Sequence, residues 1–469
     1  MRRRFLSFLL VTVIAASLLA TTCSRPSARP NVLLVTIDTL RADHCSAYGY
    51  PIATTPVLAA LASAGTRFST AYAVSATTAP SHASLMTGSA FRTSGVLKNG
   101  LPLPQEEVTV AEVMAASGYA TAAFVSSFPL RSRFGFAQGF ESFDDEFSIP
   151  ESSEGRRSAP VAHDRMAGAT FDKFKAWLDK RRDTRPLFLW VHFVDPHFPY
   201  RAPEKFQARW PADVDINVRH YDAEVHYADK QLGRVVEAFD QHAGAGGALV
   251  IVTSDHGEGL GDHGWMSHGI NLYEEAVRVP LVVRWSGRVA GGEVITAPVS
   301  LIDVAPTILD AARVQQVPPS FEGRSLLGTL DPDRTIFMQR RSYSGKEVED
   351  TAVTGEMTAL VRSGAKYIFA PEENRREFYQ LPSDPHEAHN LLAQAAAGQD
   401  AALGEAPAAG QPPVEKASAD GGQSPLAAEA KRHDEELAAW RRSHPEPQTA
   451  GAPVDKEDVK ALRSLGYVD

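Results

Sequence analysis

The chain reads as an α/β protein: a mostly parallel sheet with helices on both faces, followed by a small C-terminal antiparallel subdomain. Two observations carry the first part. Apolar runs of strand length (Val32–Ile37, Thr121–Val125, Leu187–Val194, Ala248–Thr253 and Pro280–Trp285) alternate with helical patterns. The runs are nearly continuous in apolar residues, as strands are when both of their faces are covered. A third observation carries the second part. After about Asp331 the pattern changes to short strand-like runs at Thr335–Gln339, Met357–Val361, Lys366–Phe369 and Glu377–Leu381.

The helical patterns are Pro56–Ala64, Val108–Ser117 and Arg165–Arg181, with the clearest running through Tyr221, Val225, Ala228, Leu232, Val235 and Phe239 on one face. In open α/β sheets ligands collect beyond the carboxyl ends of the strands. Asp38 and Asp255 each stand just past such an end.

The chain has 469 residues, 43% of them hydrophobic and 22% charged, which suits one large domain with additions. A net charge of −10 argues against a general nucleic-acid binder, which needs clustered cations. It does not argue against a small anionic substrate, because a bound metal ion can dominate the local field.

At the N-terminus, Arg2, Arg3 and Arg4 precede an apolar run from Phe5 to Ala20, then small residues and Cys23. This is the order of a secretory signal over 1–23, so the protein is expected to be exported, to a periplasmic or cell-surface location. The run is short of the ~20 apolar residues that span a bilayer. Leu18-Leu19-Ala20-Thr21-Thr22 before Cys23 resembles a lipobox loosely, so a lipoprotein with a membrane tether at Cys23 and simple cleavage nearby both stay open. Cys45 is the only other cysteine, which leaves the mature chain without a disulfide framework. The expected organisation is then a catalytic α/β domain over 31–330, a subdomain over 331–392, a low-complexity linker over 393–454 and a helical segment over 455–469. Within the linker, Leu426–Ser443 has the composition of a surface helix; Asp455–Leu465 reads as a short helix capped by Gly466.

Three segments carry chemistry. Asp38 closes Val32-Leu33-Leu34-Val35-Thr36-Ile37. Asp255-His256-Gly257 closes the run from Ala248, and an adjacent carboxylate and imidazole can ligate a divalent cation with mixed oxygen and nitrogen donors. Thr77-Thr78-Ala79-Pro80 opens a helix that Gly88 ends, which puts Thr78 at a helix N-terminus, where free N–H groups and the dipole favour an anion. Taken singly, each has a bland reading, as a helix cap or a structural Asp–His pair.

Together they resemble the sulfatase family of the alkaline-phosphatase superfamily. The resemblance runs from Asn31–Asp38 to Asp384-Pro385-His386-Glu387-Ala388-His389-Asn390-Leu391, through Tyr48-Gly49-Tyr50, Asp195-Pro196-His197-Phe198-Pro199-Tyr200 and Arg278-Val279-Pro280-Leu281, and on to Leu462–Tyr467. It implies an alkaline-phosphatase-like fold and hydrolysis of phosphate-type or sulfate-type esters. It also implies a divalent metal (Zn, Mn, Ca or Mg) held by Asp38, Thr78, Asp255 and His256, with Thr78 as nucleophile. His197 and His268 match positions that hold the substrate or protonate the leaving group. A second metal site through Asp195, His197 and His268 stays open, and His192, His263 and Glu258 are candidates of lower rank. Arg41, Asp43 and His44 are candidates for the pocket border.

The departures bear on the ester. The family's sulfate-cleaving members carry Cys or Ser followed by x-Pro-x-Arg and convert it to formylglycine. Here the positions hold Thr78 and His82, so conversion is not expected. Thr39 replaces a second Asp ligand, and Ser126-Ser127 stand where many sulfatases have Lys-x-His. A formylglycine hydrate expels sulfate by collapsing to an aldehyde, an exit a threonine sulfate lacks. A threonine phosphate can be cleared by in-line attack of water. The pattern then looks more like phosphodiesterase branches of the superfamily that use Thr and an Asn some twenty residues on, a position Asn99 fills. The expected function is phosphomonoester or phosphodiester hydrolysis through a covalent Thr78 intermediate. The alternatives are a sulfuric ester hydrolase without formylglycine and a catalytically silent binding protein.

Overall fold

A computed structural model describes residues 29–146, 164–207, 210, 213–244, 246–348, 351–394, 425–445 and 455–464. The main sheet holds β1 (Asn31–Ile37), β2 (Thr66–Tyr72), β3 (Ala120–Phe124), β4 (Ser142–Asp144), β5 (Leu187–Phe193), β6 (Ala248–Ser254), β7 (Arg278–Trp285), β8 (Glu293–Ile295) and β9 (Val299–Ser300). Their order is β4-β3-β5-β1-β6-β7-β2-β8, with β9 beside β2. Only β7 runs against its neighbours; the other pairings are parallel.

Helices cover both faces because the strands are apolar on both. Val32 and Leu34 of β1 face α2 (Thr78–Thr87), α3 (Val110–Ala116) and α6 (Val304–Ala311); Leu33 and Val35 face α1 (Pro56–Ser63), α4 (Ala167–Lys180) and α5 (Ile216–Asp240). Local signals set the helix starts. Thr109 and Glu112 form a capping box on α3, Asp215 caps α5, and the carboxylate of Asp229 accepts from Val57 N and Leu58 N at 2.9 Å, tying α1 to α5.

Parallel register aligns the ends that matter: Ile37 of β1 lies opposite Phe193 of β5 and Ser254 of β6. Asp38, Asp195 and Asp255 therefore emerge at one edge.

The C-terminal sheet is an antiparallel meander, β10 (Ile336–Val348), β11 (Thr351–Arg362), β12 (Ala365–Ala370) and β13 (Arg375–Gln380). β10 outruns the expected Thr335–Gln339, because its second half is polar and carries no apolar pattern. β2 and α6 were not expected from the sequence. The segment read as a linker contains α7 (Pro425–Ser443), which is docked: Ala430 and Leu437 pack on Leu360, Tyr367 and Phe378, and Trp440 stacks on Phe337 at 5.1 Å and 9°. Leu426, Ala430, Leu437 and Trp440 form the stripe that makes this a packed helix. Leu462 of α8 (Lys456–Ser464) is buried in the main core. The signal segment, Cys23, most of the expected linker and Gly466 lie outside the described residues. Among the described residues no helix is long and apolar enough to cross a membrane.

Candidate active site

The site is built on turns that aim carboxylate and imidazole atoms at one buried point. Directly after Asp38 the chain turns through Thr39 at φ +53°, a left-handed conformation that is costly for a β-branched residue. Two bonds hold it: Thr39 N donates to Oδ1 of Asp255 at 3.2 Å, and Tyr221 donates to the Thr39 carbonyl at 2.8 Å. His256 N also donates to Oδ1 of Asp255, at 2.9 Å, so Oδ2 is the oxygen that faces the cluster. Nδ1 of His256 donates to the Gly257 carbonyl at 2.8 Å, which leaves the Nε2 lone pair pointing inward. Gly257 is required there, since a Cβ would stand 1.9 Å from the Glu275 carbonyl oxygen.

Nε2 of His256 lies 3.7 Å from Oδ1 of Asp38, 3.5 Å from Oδ2 of Asp255 and 3.2 Å from Oγ1 of Thr78. A cation with bonds near 2.1 Å keeps tetrahedral donors about 3.4 Å apart, so these separations suit shared ligation. Asp38, Asp255 and His256 are fully buried and form a group able to hold a metal ion. Both oxygens of Asp38 and Oδ2 of Asp255 lack hydrogen-bond partners of ordinary geometry, although Ser127 lies beside Asp38 and favours its charged form. Burial first, then the negative charge of Asp255, Asp164 and Glu258, raises Asp38 well above the usual carboxylate range. Burial raises Asp255 and, with the nearby His268, lowers His256 well below the ordinary imidazole value. Two carboxylates this poorly solvated need a counter-charge; the donor set fits a divalent cation.

Thr78 is the first residue of α2, with Thr77 as its cap position and Gly88 at φ +58° ending it. The next N–H, that of Ala79, donates to Oδ1 of Asn99 at 2.8 Å. Asn99 thus sits at the same helix end as Thr78, and donation to an ester oxygen must come from its Nδ2. His268 reaches the cluster from the other side, its ring centroid 4.5 Å from that of His256 and 5.1 Å from that of His197. Nδ1 of His268 meets Oε1 of Glu258 at 3.1 Å, so Glu258 orients His268.

Other named candidates lie elsewhere. Oδ2 of Asp195 accepts from Ala167 N at 2.7 Å at the start of α4, and among the described residues the donor atoms that converge on a cation position are those of Asp38, Asp255 and His256, not of Asp195, His197 and His268. Burial raises that Asp195 to about 6. Arg41 pairs with Asp43 and Asp262 and donates to the carbonyls of Glu258 and Gly259, holding that loop. His44 pairs with Asp222 at 2.8 Å, and His263 stacks on Tyr273 while pairing with Glu275 at 2.9 Å. Arg41, Asp43 and His263 also line a cavity beside Asp262, Glu275 and Arg278, so Arg41 and Asp43 border a pocket as expected, while His44 is not among its lining residues.

Sequence reasoning missed a buried network beneath the cluster. Thr36 Oγ1 accepts from Trp190 Nε1 at 3.0 Å and lies 3.0 Å from His82 Nε2 and 3.1 Å from His192 Nδ1. His82, at the family's arginine position, is turned under the site towards the Thr78 carbonyl at 2.9 Å. The available signal was a Thr and a His inside otherwise apolar strands.

A hydroxyl on a helix end beside buried carboxylate and imidazole donors able to hold a cation, at the carboxyl edge of a mostly parallel sheet, is the arrangement expected of an ester hydrolase of alkaline-phosphatase-like fold. A family model described as "Sulfatase" matches residues 30–314, and one described as "N-sulphoglucosamine sulphohydrolase, C-terminal" matches residues 261–402. The chain belongs to the sulfatase family. It is 24% identical over 403 residues to an ulvan-active sulfatase of Formosa agariphila, covering 78% of this chain and 77% of that one. An arylsulfatase of Clostridium perfringens is 24% identical over 445 residues, covering 78% and 90%. The solved structure of a phosphonate monoester hydrolase of Agrobacterium radiobacter matches with a TM-score of 0.65 at 21% identity, over 92% of this chain and 99% of that one, which establishes the shared fold.

Proposed function

We propose that this hydrolase cleaves a phosphate-type monoester or diester through a covalent Thr78 intermediate. The observation that carries the reading is Thr78 itself: a hydroxyl at the N-terminus of α2, 3.2 Å from Nε2 of His256, at the position where sulfate-cleaving relatives need a convertible Cys or Ser. A divalent cation held by Asp38, Asp255 and His256 would lower the pKa of the Thr78 hydroxyl and offset charge on the ester.

Oγ1 of Thr78 forms the new bond to phosphorus as the ester bond on the opposite side breaks. The leaving oxygen takes a proton from His268, held in place by Glu258. Asn99 Nδ2 and the N-terminus of α2 receive a nonbridging oxygen. The Thr78 hydroxyl proton passes to solvent as the Oγ1–phosphorus bond forms. Water then gives a proton to the now neutral His268 as it attacks phosphorus in line, the Oγ1–phosphorus bond breaks, Thr78 takes a proton back from solvent, and the acid product departs.

The substrate is a small anionic ester. Sulfuric ester hydrolysis is the second reading, favoured by the names of the two curated relatives. A panel of 4-nitrophenyl phosphate, bis(4-nitrophenyl) phosphate, a phenylphosphonate monoester and 4-nitrophenyl sulfate, with Mn²⁺ or Zn²⁺, decides between them. Turnover of phosphoesters that disappears in Thr78→Ala supports the proposal, and turnover of the sulfate alone overturns it. Export rests on the N-terminal pattern of residues 1–23, and mass spectrometry of the mature N-terminus would test both cleavage and lipid on Cys23.

A further inference from the structure

Asp38 has a histidine nitrogen at the same distance from each of its oxygens. On the β6 side, Nε2 of His256 is 3.7 Å from Oδ1; on the β5 side, Nε2 of His192 is 3.7 Å from Oδ2. Both separations are too long for hydrogen bonds. Nε2 of His192 and both Asp38 oxygens are buried and have no hydrogen-bond partner of ordinary geometry, the Ser127 hydroxyl lying beside Asp38. A structural His–Asp pair would close to hydrogen-bond distance. A spacing near 3.7 Å between two bare donors is what ligands of one cation keep.

The hydrogen count around Thr36 fixes which nitrogen of His192 carries its proton. Trp190 Nε1 can only donate, so it occupies one lone pair of the Thr36 hydroxyl, at 3.0 Å. One proton and one lone pair remain for His82 Nε2 and His192 Nδ1. Nδ1 of His82 faces the Thr78 carbonyl at 2.9 Å and Oδ2 of Asp255 at 3.5 Å, both acceptors, so in the neutral ring Nδ1 carries the hydrogen. Nε2 of His82 must then accept from Thr36. Thr36 in turn receives from Nδ1 of His192, and Nε2 of His192 is left as a lone pair aimed at Asp38. His256 reaches the same state more directly, through its bond to the Gly257 carbonyl. A ligating imidazole has this posture, its second nitrogen held as a donor.

We propose that Oδ2 of Asp38 and Nε2 of His192 form a second divalent-cation position, so that Asp38 bridges two cations. This rests on the reading that Asp38, Asp255 and His256 hold the first. The surroundings supply oxygen donors. β3 is the neighbour of β5, and Ser126 and Ser127 follow it. Ser126 fixes the His192 carbonyl at 2.6 Å, the Ser127 hydroxyl lies against Asp38, and Asp164, which accepts from Phe128 N at 2.9 Å, adds negative charge. A mixed nitrogen and oxygen set of this kind suits Mn²⁺ or Zn²⁺. The position differs from one through Asp195, which is not in the converging group and has one oxygen accepting from the start of α4.

The test is Mn²⁺ titration of the full chain after chelation, read by elemental analysis and electron paramagnetic resonance. Two bound equivalents are expected, with the spin–spin coupling of two ions sharing a carboxylate. His192→Ala should hold one, show the six-line spectrum of an isolated ion and weaken the second site more than 100-fold. His192→Gln, which keeps a hydrogen-bonding group for Thr36, should behave like His192→Ala and guards against misfolding. One equivalent in the wild type, or a second equivalent untouched in both variants, overturns the second position and leaves the first. No bound metal at all overturns both.

Discussion

Nε2 of His256 stands 3.2 Å from Oγ1 of Thr78 and within 3.7 Å of carboxylate oxygens from both Asp38 and Asp255. One lone pair cannot serve as the base for Thr78 and as a metal ligand together. Its two carboxylate neighbours favour ligation, so under the proposed mechanism Thr78 would be activated by the bound charge and by the N-terminus of α2 rather than by an imidazole base.

Thr78→Ala should therefore lower kcat for an aryl phosphate by about 10⁴-fold or more, while the melting temperature stays near that of the wild type. Thr78→Ser should retain activity within about 10-fold, because the same oxygen remains. Steady-state kinetics on both variants checks this, and an active Thr78→Ala removes the nucleophile assignment.

Metal affinity should climb with pH. Asp38 and Asp255 are raised above the usual range, so a cation must displace their protons, and its apparent binding constant increases until both ionise. The same shifts act on the metal-free fold. A carboxyl whose folded pKa exceeds its unfolded one, about 4, stabilises fully below that value and loses the contribution as pH rises through the folded pKa. Chelated protein should melt lower at pH 8 than at pH 5, with Mn²⁺ reversing the trend. Scanning calorimetry with and without chelator reads both effects; a melting point that rises with pH in chelator would contradict them.

His268→Gln should separate substrates by leaving group. An alkyl ester, whose oxygen needs a proton, should lose about 10²–10⁴-fold in kcat, and a 4-nitrophenyl ester far less. Glu258→Gln, which weakens the 3.1 Å contact to His268, should show the same split in smaller degree. Equal losses on both esters would mean that His268 holds the substrate instead.

Gly257→Ala should fail by collision. Its Cβ would meet the Glu275 carbonyl oxygen at 1.9 Å, so the backbone must shift and carry His256 with it. A destabilisation of about 1–3 kcal/mol and a weakened metal site are expected, measured by denaturant unfolding and metal titration.

Leu437→Ala tests the docked helix. Leu437 is 1% exposed, against Leu360, Tyr367 and Phe378, and its truncation should cost about 2–5 kcal/mol. Limited proteolysis should then cut within α7 sooner than in the wild type. Unchanged protection would show that α7 does not hold by this face.

Much of this was legible because adjacent residues wrote it. Val32–Ile37 and Ala248–Thr253 announce buried parallel strands, and an acid directly after each is visible without coordinates. Pro80 and Gly88 bracket α2, which puts Thr78 at its start. Thr66–Tyr72 was not read as β2, and the polar half of β10 was invisible, because neither has an apolar run to display.

What the sequence determined by itself is the family, the sheet, and the residue types Asp38, Thr78, Asp255 and His256, all set by local pattern. What the tertiary structure decided is how those atoms are used. Parallel register brings β1, β5 and β6 to one edge, so residues more than 150 positions apart meet: Thr36 hydrogen-bonds His192, and Asp38 lies 3.7 Å from both His192 and His256. It also placed Asp195 outside the converging group of donors, with one carboxylate oxygen accepting from the start of α4. Spacing along a chain carries no information about which lone pair of a buried side chain is already taken. That depends on what packs against it, and only the folded molecule supplies the neighbours.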